Sequence, residues 1–262
     1  MPPFRALFVV ATSGAIALTV HSLVREPPPL AVSVIALSAY GALVTLGVFV
    51  LKMQLYVDAV IGGPKDARGV ALTFDDGPDP ETTPAVLDAL DSVGAKATFF
   101  VIAKKAEACP ELVKEMLARG HTIGLHSYAH DRLFALRREA FVRSDLQTGI
   151  ATLEKLTGAR PVWFRPPIGH TNPIIARVAT ELGLVVVGWS VSARDGTARA
   201  TLDGCLARVR AGLRDGAIVL LHDASERRDF APLAPKLVPS VLEAIQAENL
   251  SVVPLASWVA RR

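Results

Sequence analysis

The chain has 262 residues, enough for one large domain and an appendage. Lys and Arg total 28 against 25 Asp and Glu, a formal charge of +3, and no basic run is interleaved with aromatics, so no nucleic-acid partner is expected. The two cysteines, Cys109 and Cys205, lie far apart and make no metal motif. They read as packed free thiols, with a disulfide as the alternative.

The apolar excess is concentrated at the N-terminus. Residues 6–24 and 30–51 form two runs of about 20 residues, long enough to cross a hydrocarbon core as helices. Arg25-Glu26-Pro27-Pro28-Pro29 separates them and cannot continue a helix. The reading is a transmembrane helical hairpin over residues 1–56, with both ends on one side of a membrane; the alternative is a signal peptide followed by one anchor. Arg5, Lys52, Lys65 and Arg68 flank the outer ends against Arg25 in the loop, which leans the rest of the chain toward the cytoplasm.

From residue 57 onward, short apolar runs alternate with helical segments. Strands are expected at 70–74, 97–101, 121–125, 162–164, 184–189, 217–221 and 251–255. Helices are expected between them, several opened by proline and closed by glycine, as at Thr83-Pro84 and Gly94. Buried strands alternating with helices imply a parallel α/β sheet, either closed into a barrel or doubly wound. In both, chemistry gathers at the carboxyl ends of the strands.

The residues at the ends of the expected strands fit that arrangement. The first strand ends in Asp75-Asp76-Gly77-Pro78, the third in His126-Ser127-Tyr128-Ala129-His130 and the fourth in Arg165-Pro166-Pro167. The fifth is followed by Ser192-Ala193-Arg194-Asp195, and the sixth ends in His222-Asp223. Two acids at one strand tip are costly without a cation nearby. His126 and His130, four apart, would share one face of a helical turn and reach a common ion. With a carboxylate they make a two-His, one-carboxylate set that leaves coordination positions open, as a catalytic metal requires.

Thr73-Phe74-Asp75-Asp76-Gly77-Pro78, His126-Ser127-Tyr128-Ala129-His130, Arg165-Pro166-Pro167-Ile168-Gly169 and Leu220-Leu221-His222-Asp223 resemble the ordered motifs of the NodB-like polysaccharide deacetylases, carbohydrate esterase family 4. The resemblance covers about residues 68–256. It implies a distorted (β/α)7-type barrel over 57–262 and metal-dependent hydrolysis of N-acetyl groups on an amino-sugar polymer such as peptidoglycan, chitin-like glycan or exopolysaccharide. By the resemblance, Asp76, His126 and His130 hold one divalent metal, with zinc expected and cobalt, nickel or iron fitting the same donors. Asp75 is implied as general base and His222 as general acid, with Arg165 orienting Asp75 and Asp195 orienting His222. Pro167, Ile168 and Leu220 are the candidate substrate-binding residues. The resemblance also places the catalytic part outside the cytoplasm, against the lean of the flanking charges.

Two departures stand out. Ile168 occupies a position where the family often has an aromatic residue. Around Asp195, the expected Asp-x-x-Asp-Trp is Ser192-Ala193-Arg194-Asp195-Gly196, lacking the first acid and the tryptophan. Both bear on the substrate and neither on the metal set. The alternative substrates are a lipid-linked amino sugar, reached through the membrane hairpin, and an O-acetylated carbohydrate. A non-catalytic sugar-binding domain is the alternative outside enzymes.

Overall fold

A computed structural model describes residues 1–227 and 229–258. In chain order the elements are α1 (Pro3–Val24), α2 (Leu30–Phe49), β1 (Val70–Asp75), α3 (Thr83–Asp91), β2 (Thr98–Val101), α4 (Ala103–Ala108), α5 (Pro110–Ala118) and β3 (Thr122–Leu125). They continue with α6 (Glu139–Thr157), β4 (Trp163–Phe164), α7 (Pro173–Glu181), β5 (Val185–Val186), β6 (Val191–Ser192), α8 (Leu202–Gly212), β7 (Ala217–His222) and α9 (Ala234–Ala247).

Among the described residues, seven strands form one sheet in the order β5-β4-β3-β2-β1-β7-β6, and every pairing is parallel. Strand alternation explains the layers. Val70, Leu72 and Phe74 of β1 face outward with Phe99, Val101, Val219 and Leu221 into the main core beneath the helices. Ala71, Phe100, Trp163, Val187 and Ile218 face the other way, into a smaller interior cluster. All six residues of β1 are buried, and the Phe74 and Phe99 rings stack at 4.9 Å. Each such side chain contributes about 1.5–3 kcal/mol on leaving water. The curled sheet is the distorted barrel that the sequence implies.

The strand assignment needs two corrections. Ser251–Leu255 is not a full strand: Val252 makes a single parallel bridge with Val70, through Val70 N–H to Ser251 O and Val253 N–H to Val70 O. Pro254 then has no N–H to extend the ladder, and Leu255 enters a short 3-10 turn. The seventh strand is instead β6, two residues long and reached directly from β5 with no helix between. A two-residue ladder leaves too short an apolar run to announce itself in the sequence. The open edge of β5 is covered by Val60, whose N–H donates to Val186 O and whose carbonyl accepts from Gly188 N–H.

The N-terminal helices agree with the expected spans, except that α2 ends at Phe49 and the chain turns through a 3-10 segment at Leu51–Met53. Both are long and apolar enough to cross a membrane. No residue of α1 is buried. Several contacts join this pair to the sheet. Tyr56 OH donates to Val44 O, Thr171 N–H to Val48 O at 3.0 Å, and Lys52 Nζ to Ser190 O at 2.6 Å. Arg5 ion-pairs with Asp58 at 2.9 Å and donates to the carbonyls of Gln54 and Leu55. Cys109 and Cys205 are free thiols.

Candidate active site

Parallel register brings the strand-end residues together. Asp75 pairs with His222 across β1 and β7, and Thr73 pairs with Leu220. By alternation these four residues share the interior face, with Arg165 arriving just past β4.

Arg165 is fully buried, a cost for a guanidinium that four hydrogen bonds offset. It donates to Asp75 Oδ1 at 2.7 Å, Thr73 Oγ1 at 3.0 Å, Gly188 O at 2.8 Å and Val187 O at 3.2 Å. Its guanidinium lies 4.1 Å from the centre of the Phe100 ring. Arg165 therefore fixes Asp75 and also ties β1 to the end of β5. Burial pushes the Asp75 carboxyl up, opposed by the positive charges of Arg165 and His222. That opposition suits a base that must both lose and accept a proton.

Asp195 is buried and grips His222 twice. Oδ1 accepts from the ring Nδ1–H at 2.9 Å, and Oδ2 accepts from the His222 backbone N–H at 2.9 Å. Burial works against the charged ring, but Asp195, Asp76 and Asp75 outweigh it and push the His222 pKa up to about 9. The ring is thus a proton carrier with Nε2 free of the Asp195 contact.

Asp76, His126 and His130 converge as a buried trio whose donor atoms all lie within 4.8 Å of one another. His126 Nε2 and His130 Nε2 lie 3.5 and 3.4 Å from Asp76 Oδ1, and 3.1 Å from each other. His126 donates its Nδ1–H to Arg165 O at 2.8 Å, which leaves its Nε2 as a lone pair. Burial, then the neighbouring His130, holds His126 well below the usual imidazole range, in the neutral form a metal needs. Asp76 Oδ1 is buried with no hydrogen-bond partner. Lone pairs facing one another around an orphaned carboxylate oxygen fit a divalent cation.

The two histidines do not lie on a helical turn, as their spacing suggested. They flank an irregular loop in which Ser127 and His130 have φ of 63° and 52°. Asp145 of α6 shapes it, accepting from the N–H groups of Tyr128 and Ala129 at 2.9 and 3.3 Å, and Ser127 Oγ accepts from His130 N–H at 2.9 Å. Of seven described non-glycine residues with positive φ, five surround this site: Asp76, Ser127, His130, Ile168 and Arg194. Each costs on the order of 1–3 kcal/mol, a concentration of strain expected where geometry serves function.

The remaining sequence candidates differ in exposure. Pro167 is buried, Ile168 is 45% exposed and Leu220 is 5% exposed. Pro167–Gly169 forms a tight turn, so Ile168 offers its side chain at the surface. His170, just past that turn, packs edge-on against Phe49 at 4.8 Å. His121 is a core residue that accepts from Ala97 N–H at 3.2 Å.

Four further residues support the site, none of them a site candidate from the sequence. Glu226 places Oε1 3.3 Å from His130 Nδ1 and is itself held by Arg132 at 2.6 Å. Lys105 Nζ donates to Asp76 O and Ser225 O. Asp223 lies against Gly77, where any Cβ would collide with its carboxylate. Asp223 accepts from Thr83 Oγ1 at 2.6 Å, so Thr83 ties the turn down instead of capping α3. Burial pushes Asp223 up to about 7. Only Asp223 carried a signal, as the acid directly after His222.

A family model described as polysaccharide deacetylase matches residues 62–187. The chain is 36% identical over 181 residues to the chitooligosaccharide deacetylase of Sinorhizobium fredii, covering 69% of this chain and 84% of that protein. It is 41% identical over 159 residues to the peptidoglycan-N-acetylglucosamine deacetylase PgdA of Listeria monocytogenes, covering 61% of this chain but only 33% of that protein. The chain therefore spans about a third of the length of the Listeria relative. Among solved structures it is similar to a family 4 acetyl xylan esterase from Clostridium thermocellum in complex with a cobalt ion, at TM-score 0.65 and 32% identity, covering 72% of this chain and 89% of that one. By this similarity, and by the site just described, the chain belongs to the polysaccharide deacetylases of carbohydrate esterase family 4.

Proposed function

We propose that the chain is a membrane-anchored, metal-dependent hydrolase that removes N-acetyl groups from an amino-sugar glycan of the peptidoglycan, chitin-like or exopolysaccharide kind. In this reading residues 1–56 anchor it, residues 57–262 are catalytic, and the catalytic part lies outside the cytoplasm. The carrying observation is the pairing of two differently tuned acid–base groups, Asp75 and His222, in register beside the Asp76–His126–His130 trio.

A divalent ion on that trio, zinc by its donor set, would supply Lewis-acid polarisation of the acetyl carbonyl and a lower pKa for the hydrolytic water. Asp75 takes the proton of the attacking water as the new C–O bond forms. Arg165 holds its carboxylate toward the site through Oδ1, leaving Oδ2 for that proton. The oxyanion is met by a backbone N–H at the Pro167–Ile168 turn. His222, charged through Asp195, protonates the sugar nitrogen as the C–N bond breaks, leaving acetate and a free amine. Leu220, on the same face two residues before His222, lines the space for the acetyl methyl, and Ile168 walls the sugar.

The test is acetate release by the full chain in detergent from N-acetylated chitooligosaccharides, peptidoglycan fragments and an O-acetylated xylan. Release with matching amine formation supports the reading. Release from the O-acetyl ester alone would replace it with a carbohydrate esterase, and saturable sugar binding without release would replace it with a binding domain.

A further inference from the structure

A cavity used by none of these steps lies beside β6. Its volume is about 660 Å³, and it is bounded by Phe49, Leu51 and Lys52 on one side and Trp189, Arg194 and Arg208 on the other. Among the described residues no carboxylate lines it. Among the described residues none of its three cations is ion-paired. Lys52 Nζ and Arg208 Nη1 donate only to the carbonyls of Ser190 and Gly204, and Arg194 is exposed.

Three unneutralised cations against an apolar wall form a particular chemical environment. The apolar wall is the end of α2, a helix long and apolar enough to span a membrane. With α2 spanning a membrane, as the proposed function has it, a site at that junction lies at headgroup depth, where basic side chains attract lipid phosphates. The same junction reaches the catalytic groove from two sides. Arg194 directly precedes Asp195, the residue that holds His222. Phe49 packs against His170, and Val48 O accepts from Thr171 N–H, just beyond the turn that carries Pro167 and Ile168. The sequence also lacks the acid and tryptophan expected around Asp195, where Ser192 and Gly196 stand.

We propose that this cavity binds the phosphate of a lipid-linked amino sugar, with the lipid chain running along α2 and the N-acetylated sugar presented to Asp75 and His222. The inference rests on the deacetylase reading and narrows its substrate class to glycan still carried on a lipid phosphate.

The experiment is calorimetric titration of the full chain in dodecyl maltoside with geranylgeranyl phosphate, geranylgeraniol and inorganic phosphate. Geranylgeranyl phosphate is expected to bind at least about tenfold more tightly than the alcohol, with inorganic phosphate at equal concentration failing to displace it. The R194Q/R208Q double variant is expected to lose about tenfold in that affinity. Equal affinity for the alcohol would overturn the inference, and so would an unchanged double variant. Displacement by inorganic phosphate would make this a free-anion site and overturn the lipid assignment. The two readings fail separately. Acetate release from soluble diacetylchitobiose without lipid-phosphate binding overturns the cavity and leaves the deacetylase. Lipid-phosphate binding without acetate from either chitobiose or geranylgeranyl-phosphate-linked N-acetylglucosamine supports the cavity and overturns the deacetylase.

Discussion

Adjacent aspartates at one strand tip take different parts because the backbone turns between them. Asp75 is the last residue of β1 and points along the interior face to Arg165, whereas Asp76, at φ 72°, swings its carboxylate to the two histidines. Asp75→Asn is therefore expected to lower acetate release by about 10²–10⁴-fold while metal binding, followed by calorimetry, persists. Loss of metal with it would show the division to be wrong. The variant also leaves Arg165 buried without its counter-charge, so a fall in Tm accompanies it. As the proposed general acid, His222 is expected to set the alkaline limit. Its pKa of about 9 lies above the ordinary 6.5, so its interactions stabilise the fold fully below about pH 6.5 and are lost as pH rises through about 9. Activity that needs the imidazolium falls over the same upper range. In Asp195→Asn the main raising charge is gone, and the alkaline limb of kcat/KM is expected to move to lower pH. An unmoved limb would show that another group carries the leaving-group proton.

The central element is β1, paired on both sides and buried along its whole length. Leu72→Ala, in the main core at 1% exposure, is expected to cost about 2–5 kcal/mol by denaturant titration. A cost under about 1 kcal/mol would mean that β1 is not the packed centre of the sheet. β1 and β7 were legible in the sequence for the same reason that they are stable: each is an apolar run, broken in β1 only by Thr73, and stopped by ionisable residues. The catalytic candidates were legible because a parallel sheet gathers strand ends, so Asp75, His126, Arg165 and His222 fell at positions of common chemistry. Where regular geometry gave out, the sequence did too. The His126–His130 spacing suggested a helix, but positive φ at Ser127 and His130 and the Asp145 contacts make a loop, and no periodicity encodes that. β6 was missed because two residues of pairing leave no pattern. Glu226 lies beyond the last motif and reaches His130 only in three dimensions.

At the scale of the whole molecule, side chains near the ends of the apolar helices tie them to the chain that follows. Arg5 is engaged by Asp58 and two backbone carbonyls, and Lys52 donates to Ser190 O. The junction also puts the end of α2 beside the rim of the groove through Phe49 and His170. Among the described residues one buried trio, Asp76, His126 and His130, brings together donor atoms whose natural partner is a cation. The most direct test is acetate release by the full chain from N-acetylated chitooligosaccharide before chelation, after exhaustive chelation and after stoichiometric zinc or cobalt is restored. Activity is expected to vanish with the metal and return with it; activity unchanged in metal-free protein would contradict the account.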